Sequence, residues 1–357
     1  MSFTPPLPAG ARSHDSADGL PLGKLLALAL AGFITIMTET VPAGLLPQIG
    51  QGLGVSEALA GQLVTLFAAG SVLAAIPIIA ATRSWNRRPL LLLAIACLCV
   101  FNVVTALSTH YALTLAARFV GGAWLGSLMD WRGVFWLMAA VSLTLVIWVR
   151  MAVPDFAGQA ARQRQPIART FLLPGIRPIL FVLFTWILAH NVLYTYIAPY
   201  LIHLGKPASV DLVLLVFGAS AVVGLWLTGM LVDRRLRLLT LLSLALFALT
   251  ACALGLAGGS PTVLLAGVAL WGLSFGGAPT LLQTALADTA GEHADVAQSM
   301  LVTIFNLGIA CGGMLGGALL DTAGAGSFAW TVAALAAIAL LAAWRAREHG
   351  LRPGHRP

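Results

Sequence analysis

Polar residues come in short bursts along this chain, and long apolar runs lie between them. Eleven runs stand out: about 24–47, 59–81, 90–107, 111–129, 133–153, 178–202, 211–232, 238–257, 261–287, 296–320 and 326–344. An α-helix needs about 20 apolar residues to cross the hydrocarbon core of a bilayer, and these runs have that length. They are continuous and do not alternate with period two, so they predict helices and not barrel strands. Glycine is frequent inside them, as at Gly70, Gly218, Gly224, Gly276, Gly312 and Gly316. In lipid, small residues let helix backbones approach closely, so packing accounts for most of these glycines.

Composition agrees with lipid as the solvent. Hydrophobic residues make up 59% of the chain and charged residues 9%, against about 25% charged in a soluble domain. Cys97, Cys99, Cys252 and Cys311 sit inside apolar runs, which argues against a disulfide framework. No spacing of His, Cys or acidic residues suits a metal, and no Ser/His dyad is placed for catalysis, so neither a metal nor an enzyme activity is expected. Residues 1–21 are polar, carry Asp15 and Asp18 and have no apolar signal core. They are expected to be a cytosolic tail.

The charges then assign sides. Seventeen of the twenty Lys and Arg fall in five places. These are the N-terminal region, the 82–89 loop (Arg83, Arg87, Arg88), the 150–177 region, the 233–237 loop (Arg234, Arg235, Arg237) and the C-terminal tail. The positive-inside rule puts all five, and hence both termini, in the cytosol. The net charge of +7 therefore reads as topology. No basic stripe interleaved with aromatics points to nucleic acid.

One long polar break, residues 154–174, divides the apolar region into a bundle over 22–153 and a second over 175–345, with a tail over 346–357. The two parts repeat each other. "LPQIGQGLG" (46–54) matches "APYLIHLG" (198–205) at an offset of about 151, and "AATRSWNRR" (80–88) matches "GMLVDRRLR" (229–237) at 149. "YALTLAARFVGG" (111–122) matches "PTVLLAGVALWG" (261–272) at 150. Beyond Gly122 the offset jumps. "WLGSLMD" (124–130) matches "MLGGALLD" (314–321) at about 190, and "GVFW" (133–136) matches "SFAW" (327–330) at 194. About 40 residues of the second half thus lack a counterpart in the first, which implies a deletion at Gly122/Ala123.

Parallel six-helix repeats are the plan of major facilitator transporters. "TETVPAGLLPQIGQGLGVS" (38–56), "LYTYIAPYL" (193–201), "GMLVDRR" (229–235), "WGLSFGGAPTLLQTALA" (271–287) and "SMLVTIFNLGIACGGMLGGALLD" (299–321) resemble that superfamily, most of all its twelve-helix bacterial drug- and sugar-efflux antiporters. The resemblance covers about residues 22–345. It implies a two-bundle, all-α membrane fold, here with 10–11 hydrophobic helices instead of 12 and an incomplete first bundle. Gly229, Asp233, Arg234 and Arg237 are similar to the family signature after helix 8. Its first-half copy is degraded, with Ala80 and Ser84 in place of Gly and Asp. By resemblance these loops, including Arg83, Arg87 and Arg88, latch the bundles in one transport state. The Gly-Pro-rich antiporter motif of helix 5 falls inside the gap.

The ionisable groups at membrane depth are the candidate chemistry. Glu39 is the one acid placed well inside an apolar run, flanked by Thr38 and Thr40. Burial favours its protonated form, which suits a proton carrier; the other reading is a Glu near the outer headgroups. Arg118, near the middle of 111–129, costs about 2.5–3.5 kcal/mol at a helix centre unless water or an acid meets it. It is either a coupling residue or an arginine snorkelling to the interface. His190 and Tyr194 are spaced i, i+4 and share a face, broadened by Asn191. With Tyr196, Gln283 and Asn306 they are candidates for a substrate cavity, or else for interhelical hydrogen bonding worth roughly 0.6 kcal/mol per bond. His190 can titrate near neutral pH and joins Glu39 and Arg118 as a proton-coupling candidate.

The expected function is transport of a small molecule across a bacterial-type inner membrane, as proton-coupled efflux of a drug, sugar or similar solute by a monomer. The proton gradient is the energy source and no cofactor is needed. The alternative is an inactive or assembly-only member. Topology adds one demand. Three apolar runs separate the basic 82–89 loop from the basic linker, and three crossings would strand twelve arginines outside. The 111–129 run is therefore expected to make no net crossing.

Overall fold

The structure is a computed structural model that describes residues 42–82, 85–114, 131–152, 167–206 and 210–351. Twelve α-helices appear among them and no strand. The first half holds α1 (Pro42–Leu53), α2 (Glu57–Thr82), α3 (Arg87–Leu107) and α4 (Trp131–Ala152). The second holds α5 (Ile167–Phe171), α6 (Ile176–Thr195), α7 (Ile197–His203), α8 (Val210–Ala257), α9 (Pro261–Gly276), α10 (Ala278–Ala290), α11 (Ala294–Thr322) and α12 (Phe328–Arg345). Among the described residues six helical stretches are long and apolar enough to cross a membrane, or seven if α1 and α2 count as one span bent by 106°.

Several apolar runs are broken helices. The run at 178–202 breaks at Tyr196, whose φ of −110° and ψ of 31° end α6 and start α7. The run at 261–287 breaks at Gly277, between α9 and α10. The runs at 211–232 and 238–257 join in α8, and the backbone leaves helical geometry at Arg235 (φ −142°, ψ 36°). That residue matches Asn86, which caps α3, at the offset of 149.

The repeat in the sequence is a repeat in space. In the second half, the part of α8 after Arg235 packs on α12, with Gly255 against Trp330 near one end. At the other end the Arg237 guanidinium donates to the carbonyls of Ala343 (3.2 Å), Trp344 (2.8 Å) and Leu351 (2.8 Å). In the first half α3 packs on α4, and the Arg88 guanidinium donates to the carbonyl of Arg150. Arg88 and Arg237 are matched at the offset of 149, and Arg150 and Trp344 at 194. The same bond therefore closes the same helix pair in both halves, on either side of the jump in offset.

This contact also fixes direction. Arg88 begins α3 and Arg150 lies in the last turn of α4, so the two helices run antiparallel. The end of α3 and the start of α4 lie at one end of the pair. Most of the 111–129 run itself lies outside the described residues.

The bundles meet along α2 and α11, and α11 packs in turn on α6. Within the second half, α8 and α9 approach closely where Gly224 meets the Leu273 backbone and Gly276 meets that of Ala221. The tail expected to begin at 346 folds back first. Leu351 is fully buried, and Gly350 lies against Gly175. The linker expected over 154–174 likewise contains α5, whose Thr170 hydroxyl lies 3.1 Å from His293 Nδ1.

Candidate substrate site

Spacing on α6 builds the site. Trp186, His190 and Tyr194 follow one another at i, i+4 and i+8, so they form one stripe along the helix. Facing them are Phe217 of α8 and the i, i+4 pair Trp271 and Phe275 of α9. The His190 ring lies flat on Phe275, with centroids 3.6 Å apart and planes 6° apart. It stacks on Tyr194 at 4.9 Å and is bordered by Trp271 at 5.4 Å and Phe217 at 5.6 Å. Trp186 meets the edge of Phe275 at 6.4 Å.

Hydrogen bonding fixes the state of the histidine. Trp271 Nε1 donates to His190 Nδ1 at 3.2 Å. An indole N–H can only donate, so Nδ1 carries the lone pair and the ring proton sits on Nε2. His190 is thus a neutral, oriented donor inside the second bundle. Trp186 differs. Its side chain is fully buried and its Nε1 has no hydrogen-bond partner among the described residues. Leaving a buried donor unmet costs about 1–3 kcal/mol. The stripe is thus a packed aromatic cluster that holds one N–H without a partner among the described residues.

The other candidates separate. Asn191 is buried but donates to the Ile187 carbonyl of its own helix at 2.9 Å, and Gly312 of α11 packs against its Cβ. Asn306 likewise bonds within α11, to the Val302 carbonyl at 2.9 Å. Gln283 is exposed on α10. Tyr196 is fully buried, but its hydroxyl reaches Gly313 of α11 at 2.9 Å, toward the junction of the bundles. Glu39, Arg118 and Arg83 lie outside the described residues. Arg87 starts α3, Asp233 and Arg234 are exposed beside the Arg235 break, and Gly229 has open space around it. Sequence reasoning missed Trp186, Phe217, Trp271 and Phe275. The i, i+4 spacing of Trp271 and Phe275 was a signal, but apolar aromatics in an apolar run do not announce which helix they face.

Comparison with known proteins decides the family. The model of the Major Facilitator Superfamily matches residues 28–129, 120–295 and 206–357. The chain belongs to the major facilitator superfamily. It is a multi-pass membrane transporter and not an enzyme. It is similar to the Transcription regulatory protein OpdE of Pseudomonas aeruginosa, with 28% identity over 374 residues, covering 90% of this chain and 92% of that one. It is also similar to the Purine ribonucleoside efflux pump NepI of Escherichia coli, with 27% identity over 337 residues, covering 81% and 85%. The human organic anion transporter MFSD10 shares the fold, with a TM-score of 0.61 at 17% identity over 90% of this chain and 95% of that one.

Proposed function

We propose that this superfamily member exports a small polar solute with a planar ring, of the nucleoside class, in exchange for protons across a bacterial inner membrane. The carrying observation is the Trp186–His190–Tyr194 stripe, with its unmet Trp186 N–H and its oriented histidine. A nucleobase has a π-face that stacks on aromatic side chains, worth about 1–3 kcal/mol per base. Its edge carries acceptors that suit a buried N–H. The similarity to a purine ribonucleoside efflux pump supports the same class. Proton coupling is assigned to Glu39, with Arg118 as its partner; both follow from the sequence and the family resemblance. The neutral His190, already bonded through Nδ1, serves the solute and not the proton. The exporter works as a monomer with both termini in the cytosol.

One observation favours the alternative of an inactive member. The alignment with the efflux pump spans 337 positions, but 81% of this 357-residue chain is about 290 residues, so roughly 50 positions of the pump face a gap here. The matched Arg88 and Arg237 contacts favour the active reading, since the helix pair beyond the gap is seated as its intact twin is. Purified protein in liposomes, given a proton gradient and a radiolabelled purine ribonucleoside, tests the proposal. The active reading expects accumulation that a protonophore abolishes. Gradient-driven flux of a cationic drug with none of the nucleoside would overturn the substrate class. No gradient-driven flux of either, from monodisperse protein, would establish the inactive reading.

A further inference from the structure

We infer that Tyr196 is the bolt that closes the junction between the two bundles at the end opposite the basic loops. This role rests on the transporter fold alone and is independent of substrate and coupling ion. Tyr196 stands where the helix breaks between α6 and α7, and it belongs to the second bundle. Its side chain is fully buried and crosses to the first. Four glycines make the slot that receives it. A Cβ at Gly61 of α2 would overlap the hydroxyl and lie 2.6 Å from ring carbons. A Cβ at Gly316 of α11 would lie 2.6 Å from the ring, and one at Gly317 would lie 2.8 Å from the hydroxyl. Real Cβ atoms do not approach that closely, so each of these positions admits only glycine while the ring is in place. The fourth, Gly313, accepts the hydroxyl hydrogen bond through its carbonyl at 2.9 Å.

The surroundings suit a part that moves. Thr65 of α2 faces Gly313 and is buried, yet its hydroxyl has no partner among the described residues. Next to the slot, Ala58, Leu59, Gln62, Met314, Gly317 and Asp321 help to line a cleft of about 260 Å³ drawn from both bundles. Across the junction the Tyr196 ring meets Gly61 of α2, flanked by the unmet Thr65 hydroxyl and by the cleft, while its hydrogen bond to Gly313 holds it to α11 of its own bundle. The helix break at Tyr196 gives it a hinge: α7, only seven residues long, can tilt and withdraw the ring without disturbing the stripe on α6. Asp321 of α11 and Gln62 of α2 both line the cleft, so water entering behind the withdrawn ring meets polar groups on both helices.

Thiol labelling in purified, detergent-solubilised protein tests the bolt. The native cysteines are replaced by alanine, and Thr65→Cys reports access to the junction. With Tyr196 present, a maleimide should react slowly. Tyr196→Ala should raise the rate at least tenfold, and Tyr196→Phe, which keeps the ring and loses the bond, should give a smaller rise. Gly61→Ala should also raise it, by expelling the ring, and should add little on top of Tyr196→Ala. Ala336→Cys, buried inside the second bundle, controls for unfolding and should stay unreactive throughout. An unchanged Thr65→Cys rate in Tyr196→Ala overturns the inference. So does a parallel rise at Ala336→Cys, which would make Tyr196 a general stability residue.

Discussion

Two tryptophans on facing helices make opposite demands on their N–H groups. Trp271 donates to His190, whereas the buried Trp186 donor is unmet among the described residues. Replacing each by Phe keeps most of the packing and removes one donor. Trp186→Phe should leave thermal stability unchanged or slightly raised, because it removes an uncompensated polar group. If the N–H serves a solute, the same change should weaken nucleoside transport about tenfold or more. Unchanged transport in a protein of unchanged stability would return Trp186 to the core. Trp271→Phe should do the reverse to the protein, lowering stability by about 1 kcal/mol as His190 loses its partner. Glu39 makes a third prediction at this scale. Glu39→Gln should abolish proton-driven flux while membrane insertion persists, and undiminished flux would remove Glu39 from the mechanism.

Whole apolar runs were easier to read than their interiors. Length and continuity alone separated the helices, because lipid demands both. The helix breaks at Tyr196, Gly277 and Arg235 were not placed from the sequence. Tyr196 is the instructive case: Pro199, three residues on, has no N–H for the Thr195 carbonyl and was a local signal for the break, whereas the four glycines on two other helices that receive the ring could not be foreseen. Its candidacy for the substrate cavity followed from its polarity, and its contacts put it at the bundle junction. The basic loops were read as latches between bundles. Arg88 and Arg237, however, bond carbonyls at the ends of helices in their own bundles. The orphan carbonyls of a helix C-terminus are natural acceptors for a guanidinium. Arg237 bonds two such carbonyls, those of Ala343 and Trp344, and also that of Leu351 in the tail, so Arg237→Ala should lower the melting temperature in detergent. Hydrogen bonds to charged groups are each worth about 1.5–3 kcal/mol, and part exposure reduces that here. An unchanged melting temperature in Arg237→Ala would deny the clamp.

At the scale of the molecule, the repeat was legible because its offsets are exposed by short motifs, and the offset changes from about 150 to about 194 beyond Gly122. What could not be read was whether the shortened half still seats its last helix. The Arg88–Arg150 contact answers through geometry, since it makes α3 and α4 antiparallel as the intact pair of the second half is. The chain then leaves α4 at the end where α3 began. On this account a stretch of about 40 residues is absent from the first bundle without inverting the second. A single cysteine in the linker, Gln163→Cys in a background without the native cysteines, tests this most directly. A membrane-impermeant thiol reagent should label it from the cytosolic face alone, in inside-out vesicles and not in intact spheroplasts. Labelling from the outer face would mean that the 111–129 region crosses the bilayer and the second bundle is inverted, contradicting the account.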